Sequence, residues 1–352
     1  MIRNYLLLLS TIFLLACYSE RPLTPSEMET VGDRFPFPQG TGFADEVFQR
    51  IYQRTGSKVI YRDFTEAHVN RTWVYSTPLG IARYTWNMFD TQETAALDAA
   101  AVMLENKVFG LLPDNILRLG LQGFPYLYFA EGGIRIHDSR FAVHRTNALD
   151  AMTISLNPTA ELDHYMYQVF FPARIAMQIF AQAFYRGAMT LPDSWFTDIG
   201  DVTPVHMVSY SIAARDPDRF ENFWARQGRI PFILLSGQIN IGRNTGPTIQ
   251  AEIPALRGRY RDVPWFFLYL SIDGNWRERF EPGGIFYNCP RLYRRLNTFY
   301  DTMLGYGINF SEIHRKLFEG TEIDTSIDRV WIQGVSTGSA RSYIFRENNS
   351  MP

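Results

Sequence analysis

Cysteine is nearly missing from this 352-residue chain: Cys17 and Cys289 are the only two. Zinc centres built from four cysteines, or from two cysteines and two histidines, are thereby excluded. Histidine is scarce as well. The six residues His68, His137, His144, His164, His206 and His314 include no two that stand three or four positions apart, so the spacing that sets two imidazoles on one helical face is absent. Charge is not in excess on either side: 34 Lys and Arg against 36 Asp and Glu give a net charge of −2, without the footprint of a nucleic-acid binder. Beyond residue 16 no apolar run reaches transmembrane length. Residues 264–272 are too few, and residues 169–184 are interrupted by Pro172 and Arg174. Internal repeats, low-complexity tracts and glycine-rich phosphate loops are also missing, and Gly132-Gly133 and Gly283-Gly284 read as turns.

What is present begins at the N-terminus. Arg3 supplies a positive charge, residues 5–16 are apolar except for Ser10 and Thr11, and Leu14-Leu15-Ala16-Cys17 has the form of a bacterial lipobox. Such a leader is too short to span a bilayer, and a small residue directly before a cysteine is what a lipoprotein signal peptidase cuts. Residues 1–16 are therefore expected to be removed, Cys17 to be acylated, and the remaining 336 residues to be tethered to a membrane by lipid. With Cys17 consumed, no intramolecular disulfide remains. Cys289 has no adjacent histidine and reads as a small buried residue rather than a catalytic thiol.

Residues 17–42 hold Pro22, Pro25, Pro36, Pro38, Gly40 and Gly42, a composition suited to a tether. Phe43, Val47, Phe48 and Ile51 then recur at helical spacing, with Gly56 placed to stop the helix. Residues 58–62, 72–75, 116–119 and 126–129 read as strands, and at least two more fall between 134 and 156. Asp90 and Glu93 have capping-box spacing before an alanine-rich helix that runs to about Phe109. From residue 162 the pattern turns mostly helical: 162–186, 205–213, 218–227, 291–304 and 310–318. Residues 229–254 and 257–290 show no clean period and read as loop-rich. The expected fold class is α+β, with a mixed region over 43–160, a mainly helical region over 161–335 and a tail from 336 to 352.

Several segments together resemble a Bacteroidota family of zinc-binding metallopeptidase lipoproteins associated with TonB-dependent nutrient-import loci. Val205-His206-Met207-Val208-Ser209-Tyr210, followed by residues 218–222, is similar to the family's Gly-Phe-Val-Ser-x-Tyr leading to Glu-Asp-Phe-x-Glu. Residues 294–300 to 307–315 are similar to its terminal helix and Asn-Ile-Asp-Phe-type linker. The resemblance implies a zincin-type scaffold, an outer-membrane location facing the cell surface, and partners among barrel proteins or other lipoproteins. It also marks a departure. The family's zinc helix carries His-Glu-x-x-His, whereas the corresponding helix here, residues 165–185, holds neither histidine nor acid. The family's downstream acids fall opposite Asp218, Arg219 and Asn222, so only Asp218 keeps its charge class. The expectation is a scaffold without metal, cofactor or catalytic residues. Alternatives are a rearranged metal site drawing on His137, His144 and His206, and a surface module for glycans or peptides.

Other chemistry is thinly supported. Gly334-Val335-Ser336-Thr337-Gly338 matches Gly-x-Ser-x-Gly, but no helix pattern follows it and too little chain remains for an acid and a histidine. Asp163-His164 at a helix start is more simply a favourable N-terminal charge. Aromatics are plentiful, with 27 Phe, 19 Tyr and 7 Trp. Trp265-Phe266-Phe267, Trp276, Phe286-Tyr287 and Trp331 could line a platform or fill a core. The candidate interface is Trp265, Trp276 and Tyr287 with Arg291, Arg294 and Arg295, residue types that partner surfaces favour.

Overall fold

The computed structural model describes residues 34–65, 68, 76–77, 80–81, 84–90, 92, 94–136, 139–141, 143–145, 151–156, 166–199, 225–226, 228, 230, 262–284 and 286–320. The chain divides at Pro36. Of the first unit only residues 34–36 are described, and everything below belongs to the second.

The second unit is a mixed α+β structure. Helix α1 (Phe43–Thr55) is opened by Asp45, whose buried carboxylate accepts hydrogen bonds from the Gly40 and Gly42 N–H groups at 2.8 and 3.2 Å. It is closed by Gly56 at φ 78°, whose N–H reaches the Tyr52 carbonyl. Strand β1 (Lys58–Ile60) follows, then the small pair β2 (Ser76–Thr77) and β3 (Gly80–Ile81), and β4 (Tyr84–Asn87). Ahead of helix α2 (Thr94–Lys107), Asp90 accepts from the Gln92 N–H at 2.7 Å, and Glu93, the other member of the expected capping box, lies outside the described residues.

The expected strand over residues 116–119 is a helix, α3 (Asp114–Leu121). Four apolar-leaning residues carry no period of their own, and here Pro113 and Asp114 start a turn whose Ile116, Leu117, Gly120 and Leu121 form a buried stripe. The long strand β5 (Tyr126–Ile136) comes next, then β6 (Ser139–Phe141), β7 (Val143–Arg145) and β8 (Ala151–Leu156). The first half of β5 runs parallel between β1 and β8, pairing Tyr128 with Ile60 and with Thr153. Its second half pairs antiparallel with β4 and β6. Strand β8 is buried at all six positions, as expected for a strand inside a parallel stretch.

A π-helical turn over Met166–Phe170 leads into α4 (Phe171–Tyr185), with Pro172 in its first turn, where a missing N–H removes nothing. All residues from Phe171 to Phe184 are buried. Short α5 (Asp193–Thr197) was not anticipated. Residues 205–213 and most of 218–227 lie outside the described set. Within 257–290, expected to be loop-rich, stands α6 (Val263–Ile272), followed by a 3₁₀ turn at Trp276–Phe280. A helix apolar nearly all round, with Trp265 its one part-exposed residue, shows no periodicity. Helices α7 (Pro290–Gly305) and α8 (Phe310–Phe318) close the described chain, with Asn309 capping α8 through the Ser311 and Glu312 N–H groups.

One continuous core joins the sheet to these helices. Phe180 of α4 stacks on Phe267 of α6 with ring centroids 4.5 Å apart, and Phe299 of α7 meets Phe266 at 5.6 Å. Among the described residues no helix is long and apolar enough to cross a membrane.

Candidate functional site: a groove between α5 and α7

Pro192 and Asp193 start α5, and Pro290 starts α7. The two helices enclose an open groove of about 440 Å³ lined by polar residues of both: Ser194, Thr197 and Asp198 on one wall, Arg294, Asn297 and Thr298 on the other. Trp195 and Arg295 lie beneath it. Arg295 is fully buried, an expensive position for a charge unless every donor is used. Its guanidinium carbon sits 3.8 Å from the centre of the Trp195 ring and 4.8 Å from that of Phe266.

A reciprocal clasp fixes this pair: Arg295 Nε donates to the Trp195 carbonyl at 3.0 Å, and Trp195 Nε1 donates to the Arg295 carbonyl at 3.1 Å. Arg295 also donates to the Gly228 carbonyl and to Asp262 Oδ2, the latter at 3.1 Å. Gly228 is required there. At φ 78° its position would carry a Cβ only 2.8 Å from the Asp198 carbonyl oxygen.

Above this floor the chemistry is exposed. Arg294 holds Asp198 in a two-pronged pair, Nε to Oδ2 at 2.8 Å and the terminal nitrogen to Oδ1 at 2.7 Å. Those hydrogen bonds hold the Asp198 carboxyl below the usual carboxylate range. The Arg294 side chain is 57 % exposed, Tyr287 is 54 % exposed and Tyr293 38 % exposed, and Arg291 faces solvent one turn before.

The sequence-based interface is thus split. Tyr287, Arg291 and Arg294 are on the surface, whereas Trp276 (2 % exposed) and Arg295 are inside and cannot meet a partner directly. Trp265 is half-buried against the core. Of the two readings of the aromatic cluster, platform or core, Phe266, Phe267, Trp276 and Phe286 are core residues: the rings of α6 and the 3₁₀ turn pack against α4 and α7, and Phe286 packs against Tyr269 and Phe280. Trp331 and residues 334–338 lie outside the described residues, as do Cys17, Asp163, His164, His137 and His206. His144 stands opposite Thr153 in the ladder of β7 and β8. Among the described residues no group of three His, Cys, Asp or Glu could hold a metal ion. Sequence reasoning missed Ser194, Trp195, Thr197 and Asp198; the Pro192-Asp193 helix start was the one available cue.

On α4 the buried polar residues are Arg174, Gln178 and Gln182, spaced four apart on one stripe. A second buried polar group stands at the end of α6. Asp273 is 1 % exposed, has a long 3.5 Å contact from Arg279 Nε, and is pushed up to about 6 by burial, with Arg279 opposing the shift. The same burial holds the Tyr269 hydroxyl protonated. His314 packs on Gly274, whose added Cβ would lie 2.9 Å from the ring, and burial lowers its pKa.

The two groups pull stability in opposite directions. Asp273, raised on folding, contributes stability below its unfolded value of about 4 that is lost as pH rises through about 6. His314, lowered on folding, contributes stability above about 6.5 that is lost as pH falls. Asp273→Asn removes the first effect alone. In urea denaturation the variant is expected to gain about 2 to 3 kcal/mol relative to the unaltered protein between pH 4 and pH 7. A difference independent of pH would refute the assignment.

No protein-family model, curated protein or solved structure matches this chain.

Proposed function

We propose that this protein is a non-catalytic, lipid-anchored accessory subunit of an outer-membrane assembly, built on a zincin-like scaffold whose metal centre has been lost. The lipobox at Leu14-Leu15-Ala16-Cys17 supports the anchor, and the resemblance to zinc metallopeptidase lipoproteins supports the location and the kind of partner, a barrel of the TonB-dependent type or a companion lipoprotein. The stripe of Arg174, Gln178 and Gln182 supports the loss, since it carries no imidazole or carboxylate where that family places them.

One observation carries the docking role: Tyr293, Arg291 and Arg294 are exposed on α7 beside the groove, over a floor locked by Arg295 and Trp195, and Tyr287 is exposed just ahead of that helix. Tyrosine and arginine on a rigid support are what binding hot spots are made of. A scaffold can keep such a surface after its chemistry has gone.

The test is purification of the full chain from detergent-solubilised membranes with identification of what accompanies it. A stoichiometric membrane-protein partner that is lost in a Tyr287→Ala, Arg291→Ala double variant is expected. A solitary protein, or one carrying stoichiometric zinc that disappears on replacing His137, His144 or His206, would overturn the reading.

A further inference from the structure

We propose that the groove between α5 and α7 is a binding site for a neutral saccharide. The inference goes beyond the docking role and does not rest on it, because the inner lining carries it rather than Tyr287 and Arg291. Charge, hydrogen-bonding capacity and shape each narrow the occupant.

Charge disfavours ions. Among the described residues, the charged side chains lining the groove are Asp198, Arg294 and the buried Arg295. Asp198 pairs with Arg294, and Asp262 pairs with Arg295 beneath. Each cation in the lining already has its carboxylate, so neither an anionic nor a cationic ligand gains more than an exchange of one partner for another.

Hydrogen-bonding capacity favours hydroxyl groups. The Asp198–Arg294 pair spends the Nε proton, one proton of a terminal nitrogen and one lone pair on each carboxylate oxygen. The remaining guanidinium protons and carboxylate lone pairs stand side by side, donors next to acceptors. Ser194 and Thr298 add one hydroxyl from each wall. Thr197 Oγ donates to the Ser194 carbonyl at 3.2 Å and keeps its acceptor capacity, as does the Asn297 side-chain carbonyl, whose Nδ2 donates to the Tyr293 carbonyl at 3.2 Å. A sugar hydroxyl donates and accepts at once and uses both halves of such a lining. A carboxylate or an ammonium uses one half and leaves the other unmet.

Shape separates a sugar from a peptide. Tyr293 lines the groove with its ring 38 % exposed, held by Phe280 and Trp276 at centroid distances of 5.0 and 6.0 Å. The negative face of an aromatic ring attracts the C–H side of a sugar ring, whose hydroxyls then reach the polar walls. Both walls are helices, so the groove has no strand edge for a peptide to pair with, and Trp195, 1 % exposed, closes the floor against an apolar side chain. The volume of about 440 Å³ lies within the roughly 300–1,000 Å³ of small-molecule sites. The Arg295–Trp195 clasp fixes the floor before a ligand arrives, which lowers the cost of binding.

The experiment is isothermal titration calorimetry on the full chain, held in a detergent without a sugar head group. Maltotetraose, cellotetraose and mannotetraose are the neutral probes, and tetragalacturonate is the charged control. At least one neutral probe is expected to saturate the protein with an affinity that added salt leaves unchanged, and to bind about tenfold more tightly than tetragalacturonate. Tyr293→Ala should weaken that binding about tenfold while Tyr293→Phe, which keeps the ring, retains it. Asp198→Asn should weaken the neutral probe roughly threefold or more and tighten tetragalacturonate, because Arg294 then lacks its carboxylate.

The proposal is overturned if no neutral probe saturates the protein, if tetragalacturonate is preferred by the unaltered chain, or if neutral binding survives Tyr293→Ala. Should that variant fail to fold, the Asp198→Asn arm decides alone, and an unchanged preference there sinks the assignment. The docking role is read from co-purification and from Tyr287 and Arg291, so either reading can fail while the other stands.

Discussion

Replacing Arg295 by alanine is expected to destabilise the protein by about 3 to 5 kcal/mol, the range for breaking a buried charged network on one side only. The loss has three parts. The carboxylate of Asp262 loses the Arg295 guanidinium, the carbonyls of Trp195 and Gly228 lose its donors, and the Trp195 ring loses the cation stacked on it. Against a typical total of about 5 to 15 kcal/mol this is a large share, and the unfolding midpoint should fall by roughly 10 °C. Arg295→Lys should fall between, because an ammonium keeps the charge but lacks the planar fork that serves several acceptors while lying flat on a ring.

The neighbouring substitution Arg294→Ala is the control. It removes an exposed pair and should cost no more than about 1 kcal/mol. Chemical denaturation of the three variants decides the matter, and an Arg295→Ala protein within about 1 kcal/mol of the unaltered one would show that the clasp is not a structural keystone.

The second large effect is expected at Gly120, in the last turn of α3. A Cβ placed there would lie 2.6 Å from Ile179 Cγ2 and in still closer conflict with the Ile179 carbonyl oxygen of α4. The two helix backbones therefore touch at this point. In an exposed helix, Gly→Ala gains about 1 kcal/mol of propensity. Here Gly120→Ala should be destabilising despite that gain, and Gly120→Val should lose about 3 kcal/mol or more, since α3 must lift off the helix on which the core is built. Adding Ile179→Ala should not rescue either variant, because the obstructing atom is backbone. Rescue, or a neutral Gly120→Ala, would show that α3 has room to shift.

Both positions show why the fold was only partly legible in the chain. Helices α1, α7 and α8 declared themselves, since each has one wet and one dry face, and α1 carries its stop at Gly56. Helix α3 was misread because a short apolar run says nothing about its period. Helix α6 was invisible because burial of all but Trp265 erases the pattern that a sequence reader looks for. The candidate site was half legible for a related reason. Tyr287, Arg291, Arg294 and Arg295 stood out by residue type, but nothing in Arg294-Arg295 says that one guanidinium faces water and the other is sealed between rings. That difference arises from a rotation of about 100° per residue around α7 and from the position of α5, some hundred residues earlier.

The sequence by itself determined the scarcity of cysteine and histidine and the metal-binding patterns this removes, the mixed composition of helices and strands, and the cluster of tyrosine and arginine ahead of and within α7. Those are properties of local spacing and of residue inventory, which no folding can alter. Only the tertiary structure decided that the aromatic cluster is mostly core, that Asp198 is the partner of Arg294, and that a groove lies over Trp195. Each of these depends on which distant segments share the same volume, and burial, pairing and cavities exist only once that volume is filled.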